Sequence, residues 1–72
     1  MTKSYRVDWA SDKDGRPCVI FDLTREDAIR QAKALSRNNQ EQSVYAIASV
    51  DGQDVGQRAY HDGRFSHQDD EF

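Results

Sequence analysis

The side chains best equipped for chemistry lie late in the chain, where His61 and His67 are accompanied by Asp62, Asp69, Asp70 and Glu71. Imidazole nitrogens and carboxylate oxygens are the usual ligands of zinc and related divalent metals. The spacing argues against such a site. The two histidines are six positions apart across an Asp-Gly turn signal, which matches neither a helical i,i+4 pair nor a paired Cys/His ligand pattern. Asp12, Asp14 and Gly15 match the opening positions of a calcium-binding loop, but the later ligands and the distal glutamate are missing, so a polar turn is expected there. Cys18, the only cysteine, sits in an apolar run, as a structural thiol does, and a single cysteine forms no internal disulfide.

Nucleophilic catalysis requires a nucleophile, a base and an oxyanion site gathered in a concave pocket, and 72 residues leave little room for one. Gly15, Gly52, Gly56 and Gly63 are scattered and build no phosphate-cradling loop. The expectation is a protein that is not an enzyme, with no metal and no cofactor.

Charge then directs attention to binding. Ten basic and thirteen acidic residues give a net charge of -3, and the acids concentrate late: residues 51–72 carry Asp51, Asp54, Asp62, Asp69, Asp70 and Glu71 against Arg58 and Arg64. Such a distribution steers association toward a basic surface, for example that of a nucleic-acid-binding protein. The opposite reading, direct nucleic-acid binding, draws on Arg30, Lys33 and Arg37 with Tyr5, Trp9, Tyr45 and Tyr60 as stacking platforms. Net acidity and the lack of interleaved basic and aromatic residues count against it.

The elements that position these residues follow from periodicity. Thr24–Asn39 carries the helical signature: Thr24 as N-cap, Glu26 and Asp27 at the positive end of the dipole, and Ala28, Ile29, Ala32, Leu35 and Ser36 on one flank. Glu26 and Arg30 make a favourable i,i+4 pair on the other flank, and Asn38 or Asn39 can end the helix in a left-handed conformation. Residues 4–10 alternate as a half-buried strand. Residues 17–23 and 43–50 are apolar on both faces, which suits interior strands, and the polar run 55–61 suits an edge. Asp14-Gly15, Asp51-Gly52 and Asp62-Gly63 supply the turns. The order β-β-α-β-β predicts an α+β domain over residues 1–66, an antiparallel four-stranded sheet with one helix on one face, and a loose acidic tail over 67–72. The start of the chain has no apolar h-region and the longest apolar run is five residues, so a cytoplasmic protein without a membrane segment is expected.

One helix covers one face of such a sheet. With two strands apolar on both sides, the second face needs Phe65 and Phe72, a second copy of the chain, or another protein. The functional expectation is a protein-binding module acting by steric occupation, as inhibitor or adaptor of a larger basic complex. Its contact residues would be Asp51, Asp54, Asp62, Phe65, Asp69, Asp70, Glu71 and Phe72. A homodimeric structural protein is the other alternative. In shortness, acidity and lack of a catalytic constellation the chain resembles small phage and mobile-element accessory proteins, including inhibitors of bacterial defence complexes. That resemblance implies an inert α/β domain that works by binding.

Overall fold

The computed structural model describes residues 2–39 and 42–72. Five strands and one helix follow in the order β1 (Ser4–Ala10), β2 (Pro17–Leu23), α1 (Arg25–Asn38), β3 (Val44–Val50), β4 (Gln53–His61) and β5 (Arg64–Gln68). All neighbouring strands pair antiparallel in one sheet of lateral order β2-β1-β3-β4-β5. The sheet therefore has five strands, not four: Arg64–Gln68 extends it beyond β4. Its polarity masks it in the sequence, and all five of its residues are exposed.

The edges are reassigned as a consequence. β2, apolar on both faces, is an edge strand, while the more polar β4 lies inside between β3 and β5. Since β2 and β3 both run antiparallel to β1, they are parallel to each other with β1 between them, and α1 is the crossover that carries the chain over β1. That crossover leaves β2 without a neighbour on its far side.

Thr24 caps α1 as its type predicts, Oγ1 accepting from the Asp27 amide at 3.1 Å. Arg30 pairs with Asp27 one turn back, at 3.1 Å, rather than with Glu26. Neither Asn38 nor Asn39 is left-handed: Asn39 has φ -126°, and both its amide and its side-chain Nδ2 donate to the Leu35 carbonyl, at 3.0 and 2.9 Å. Its Oδ1 accepts from the Asp12 amide at 3.2 Å, tying the β1–β2 turn to the end of the helix.

The core lies between α1 and one face of the sheet. Ala28 and Ala32 of the helix are fully buried with Val7, Val44, Ala46 and Ala48, and Ile29 and Leu35 pack half-buried at the margin. Ser36 is buried as well, and satisfied: its hydroxyl donates to the Lys33 carbonyl and accepts from the Gly63 amide, both at 2.8 Å. Asp62 and Gly63 have φ 52° and 75°, the positive pair of a type I′ hairpin turn, and a Cβ on Gly63 would collide with the Arg37 side chain.

The chain does not end in a loose tail after residue 66. His67 and Gln68 belong to β5, and Phe72 folds back into the core at 4% exposure, its ring edge-on to Tyr5 at 5.4 Å. Among the described residues no helix is long and apolar enough to cross a membrane.

Candidate functional site

Strand alternation decides what faces away from the helix. On β1 these are Arg6 and Asp8, which pair across the ladder with Ile47 and Tyr45 of β3, and Asp8 pairs on its other side with Val19 of β2. Gln57 and Ala59 of β4 continue the same rows. Ile47 and Ala59 are buried on this face, so the remaining apolar exposure concentrates at the β2 corner, where Val19 is 45% and Phe21 63% exposed.

A bulge places Phe21 there. The register shifts between Tyr5↔Leu23 and Val7↔Ile20, so Phe21 and Asp22 together oppose Arg6, with Asp22 at φ 60°. Phe21 and Asp22 lie beside Ser49 and Gly52, and an open concavity of about 810 Å³ runs from Phe21 past Val19, Tyr45 and Trp9 to Pro17.

Arg6 is the electrostatic centre of this face. Its Nη1 and Nη2 donate to the two carboxylate oxygens of Asp54 at 2.6 and 2.8 Å, its Nε reaches Asp8 at 3.2 Å, and its Nη1 donates to Ser49 Oγ at 3.2 Å. Ser49 donates in turn to Asp54 at 3.0 Å. The Arg6 guanidinium first, then the Ser49 hydroxyl, hold the Asp54 carboxyl down to about 2. Arg6, bound to Asp54 above all, is driven further toward its charged form. One cation thus sits between two carboxylates, and with Asp22 lining the same corner and Asp51 next to Gly52 in the adjoining turn the rim of the apolar patch is acidic.

The contact residues expected from sequence are not brought together. Asp54 lies on this face and Asp51 in the adjoining β3–β4 turn, whereas Asp62 sits in the β4–β5 turn at the other end, against the last turn of α1. Asp69, Asp70 and Glu71 are exposed beyond β5, and the Asp69 amide donates to the Gln57 carbonyl at 2.9 Å. Neither phenylalanine covers the open face. Phe72 is in the core, and Phe65 pairs with Tyr60 on the helix side, where Arg58 stacks over both rings at 5.4 and 4.8 Å from their centroids.

Sequence reasoning missed Arg6, Asp8, Val19 and Phe21 as residues of this face, and named Tyr45 only as a stacking platform for nucleic acid. The doubly apolar run 17–23 was the available signal, read as an interior strand instead of an uncovered one.

The basic residues proposed for nucleic acid lie on α1, across the molecule from this face. Arg30 is engaged by Asp27, and the Arg37 stem covers Gly63. Of the aromatics, Tyr5 and Tyr60 are buried in the core and Trp9 packs against it, leaving Tyr45 on the open face. His61 and His67 are exposed on β4 and β5, and among the described residues no three His, Cys, Asp or Glu side chains converge to hold a metal.

No family model matches this chain, and no curated protein or solved structure matches it significantly. The functional reading therefore rests on the site alone.

Proposed function

We propose that this chain is a non-catalytic protein-binding module that uses the helix-free face of its sheet to occupy a basic surface on a larger complex, as an inhibitor or adaptor. The observation that carries this reading is the exposed pair Val19 and Phe21 with carboxylates around it. Apolar anchors supply affinity once desolvated, and the surrounding charge sets orientation and association rate. Arg6 is already shared by Asp8 and Asp54, and Asp22 lines the same corner, so the rim attracts cations.

The same charge argument separates a foreign partner from a second copy. Pairing two of these faces about a two-fold axis brings acidic rim against acidic rim. A partner with lysines or arginines around an apolar pocket replaces that repulsion with attraction.

The test is affinity capture from the native host with the wild-type chain and with a Val19→Ser/Phe21→Ser variant, after thermal melts have shown both to be folded. A basic protein retained by the wild type and lost by the variant supports the reading. Identical capture by both sinks it, and concentration-dependent doubling of mass in light scattering transfers the face to self-association.

A further inference from the structure

Residues Asp69–Phe72 leave β5 in a tight turn, the Phe72 amide donating to the Asp69 carbonyl at 3.1 Å. Asp69, Asp70 and Glu71 remain exposed, and only the Phe72 side chain enters the molecule. It fills a slot bounded by β1, β4 and the first turn of α1. The floor is Gly56, where an added Cβ would run into the Phe72 amide nitrogen and come within 2.7 Å of the Glu71 carbonyl carbon. One wall is the Tyr5 ring, packed edge-on at an interplanar angle of 73°, and the Arg25 guanidinium lies 5.0 Å over the Phe72 centroid.

The hydrogen bonds from the rest of the chain into this segment go to its main chain. Tyr5 Oη donates to the Phe72 carbonyl at 3.1 Å, and Lys3 Nζ donates to the Glu71 carbonyl at 2.6 Å. One aromatic pocket for specificity plus main-chain hydrogen bonds for affinity is the physical recipe of a peptide-recognition site.

We propose that the slot formed by Tyr5, Arg25 and Gly56 is a peptide-binding site whose resident ligand is the chain's own Asp69–Phe72 segment. It takes, in trans, a short peptide presenting a phenylalanine after an acidic turn. Tethering keeps the resident segment at an effective concentration of about millimolar or more, so a free peptide gains entry only where the resident phenylalanine is weakened. The slot is separate from the Val19/Phe21 patch and stands or falls independently of it.

The experiment uses the full chain carrying Phe72→Ala and the synthetic tetrapeptide of residues 69–72, N-acetylated. The substitution is expected to lower Tm by at least about 10 °C. The peptide, titrated into the millimolar range, is expected to raise that Tm saturably, as ligand linkage requires. The same peptide ending in alanine leaves it unchanged, as does the phenylalanine peptide added to a Gly56→Ala/Phe72→Ala chain. Should Phe72→Ala abolish folding, the peptide must restore the far-ultraviolet circular dichroism. Phe72→Leu, which keeps an apolar side chain and loses the ring contacts, provides a folded background for the same titration. An unchanged Tm in Phe72→Ala, or a lowered Tm that does not respond to the peptide in either variant, overturns the proposal.

Discussion

At the residue scale, the Arg6–Asp54 pair makes stability depend on acid. The Asp54 carboxyl is depressed from 3.8 to about 2 in the folded protein, so its contribution is fully present above the unfolded value and is lost as pH falls through the folded one. Thermal melts of wild type and Asp54→Asn should therefore differ near neutrality and converge between pH 4 and 2; parallel curves across that window would show that the pair contributes nothing. Asp54 is exposed and Arg6 only partly buried, so the difference should be small and should shrink further with salt. Ser36 makes the sharper case. Its hydroxyl is buried and is the acceptor for the Gly63 amide, and Ser36→Ala leaves that amide without it. A loss of about 1–3 kcal/mol in urea-melt stability is expected, and a neutral result would mean that another acceptor replaces the hydroxyl.

At the scale of elements, α1 is held from both ends and from below. Thr24→Ala should cost about 1 kcal/mol by removing the cap acceptor. Leu35 is only half-buried, so Leu35→Ala should fall at or below the low end of the roughly 2–5 kcal/mol range for truncating buried leucines. Denaturant titrations of the two variants give the order of these losses, and a Leu35→Ala cost near the top of that range would place Leu35 deeper than its packing implies. β2 shows how an uncovered edge is kept from open-ended pairing. Pro17 removes a ladder donor at its start, and the Phe21–Asp22 bulge interrupts it near its end, leaving a short regular stretch between. On the proposed reading, side chains on the face, rather than backbone on the edge, are accordingly what β2 would present.

At the scale of the whole molecule, the helix and the acid-rimmed apolar corner lie on opposite sides of one sheet, so the fold and the proposed contact surface can be varied separately. Val19→Ser/Phe21→Ser should leave Tm within a few degrees of wild type, because both side chains are already largely exposed, while abolishing capture of a basic partner. Neutralising Asp22 and Asp51 should slow association, more at low salt than at high, in a stopped-flow or biosensor measurement with the captured partner. A rate unchanged at low salt would remove the steering role of the rim.

The local elements were legible in the chain because their causes are local. A threonine with an acid three residues on starts a helix, alternating Tyr5, Val7 and Trp9 make a strand, and Asp-Gly pairs at 51–52 and 62–63 adopt positive φ. Which strand lies beside which is not local. The crossover of α1 over β1 put a strand that is apolar on both faces at an edge, and the residues after Gly63 paired with β4 despite their polarity, because backbone hydrogen bonds do not depend on side-chain type. The excess of apolar surface over what one helix can cover was present in the sequence. That it gathers at Val19 and Phe21, while Phe72 turns inward onto Gly56, depended on the bulge at Asp22 and on a glycine without a Cβ meeting a segment distant in sequence; only the tertiary structure brings such partners together.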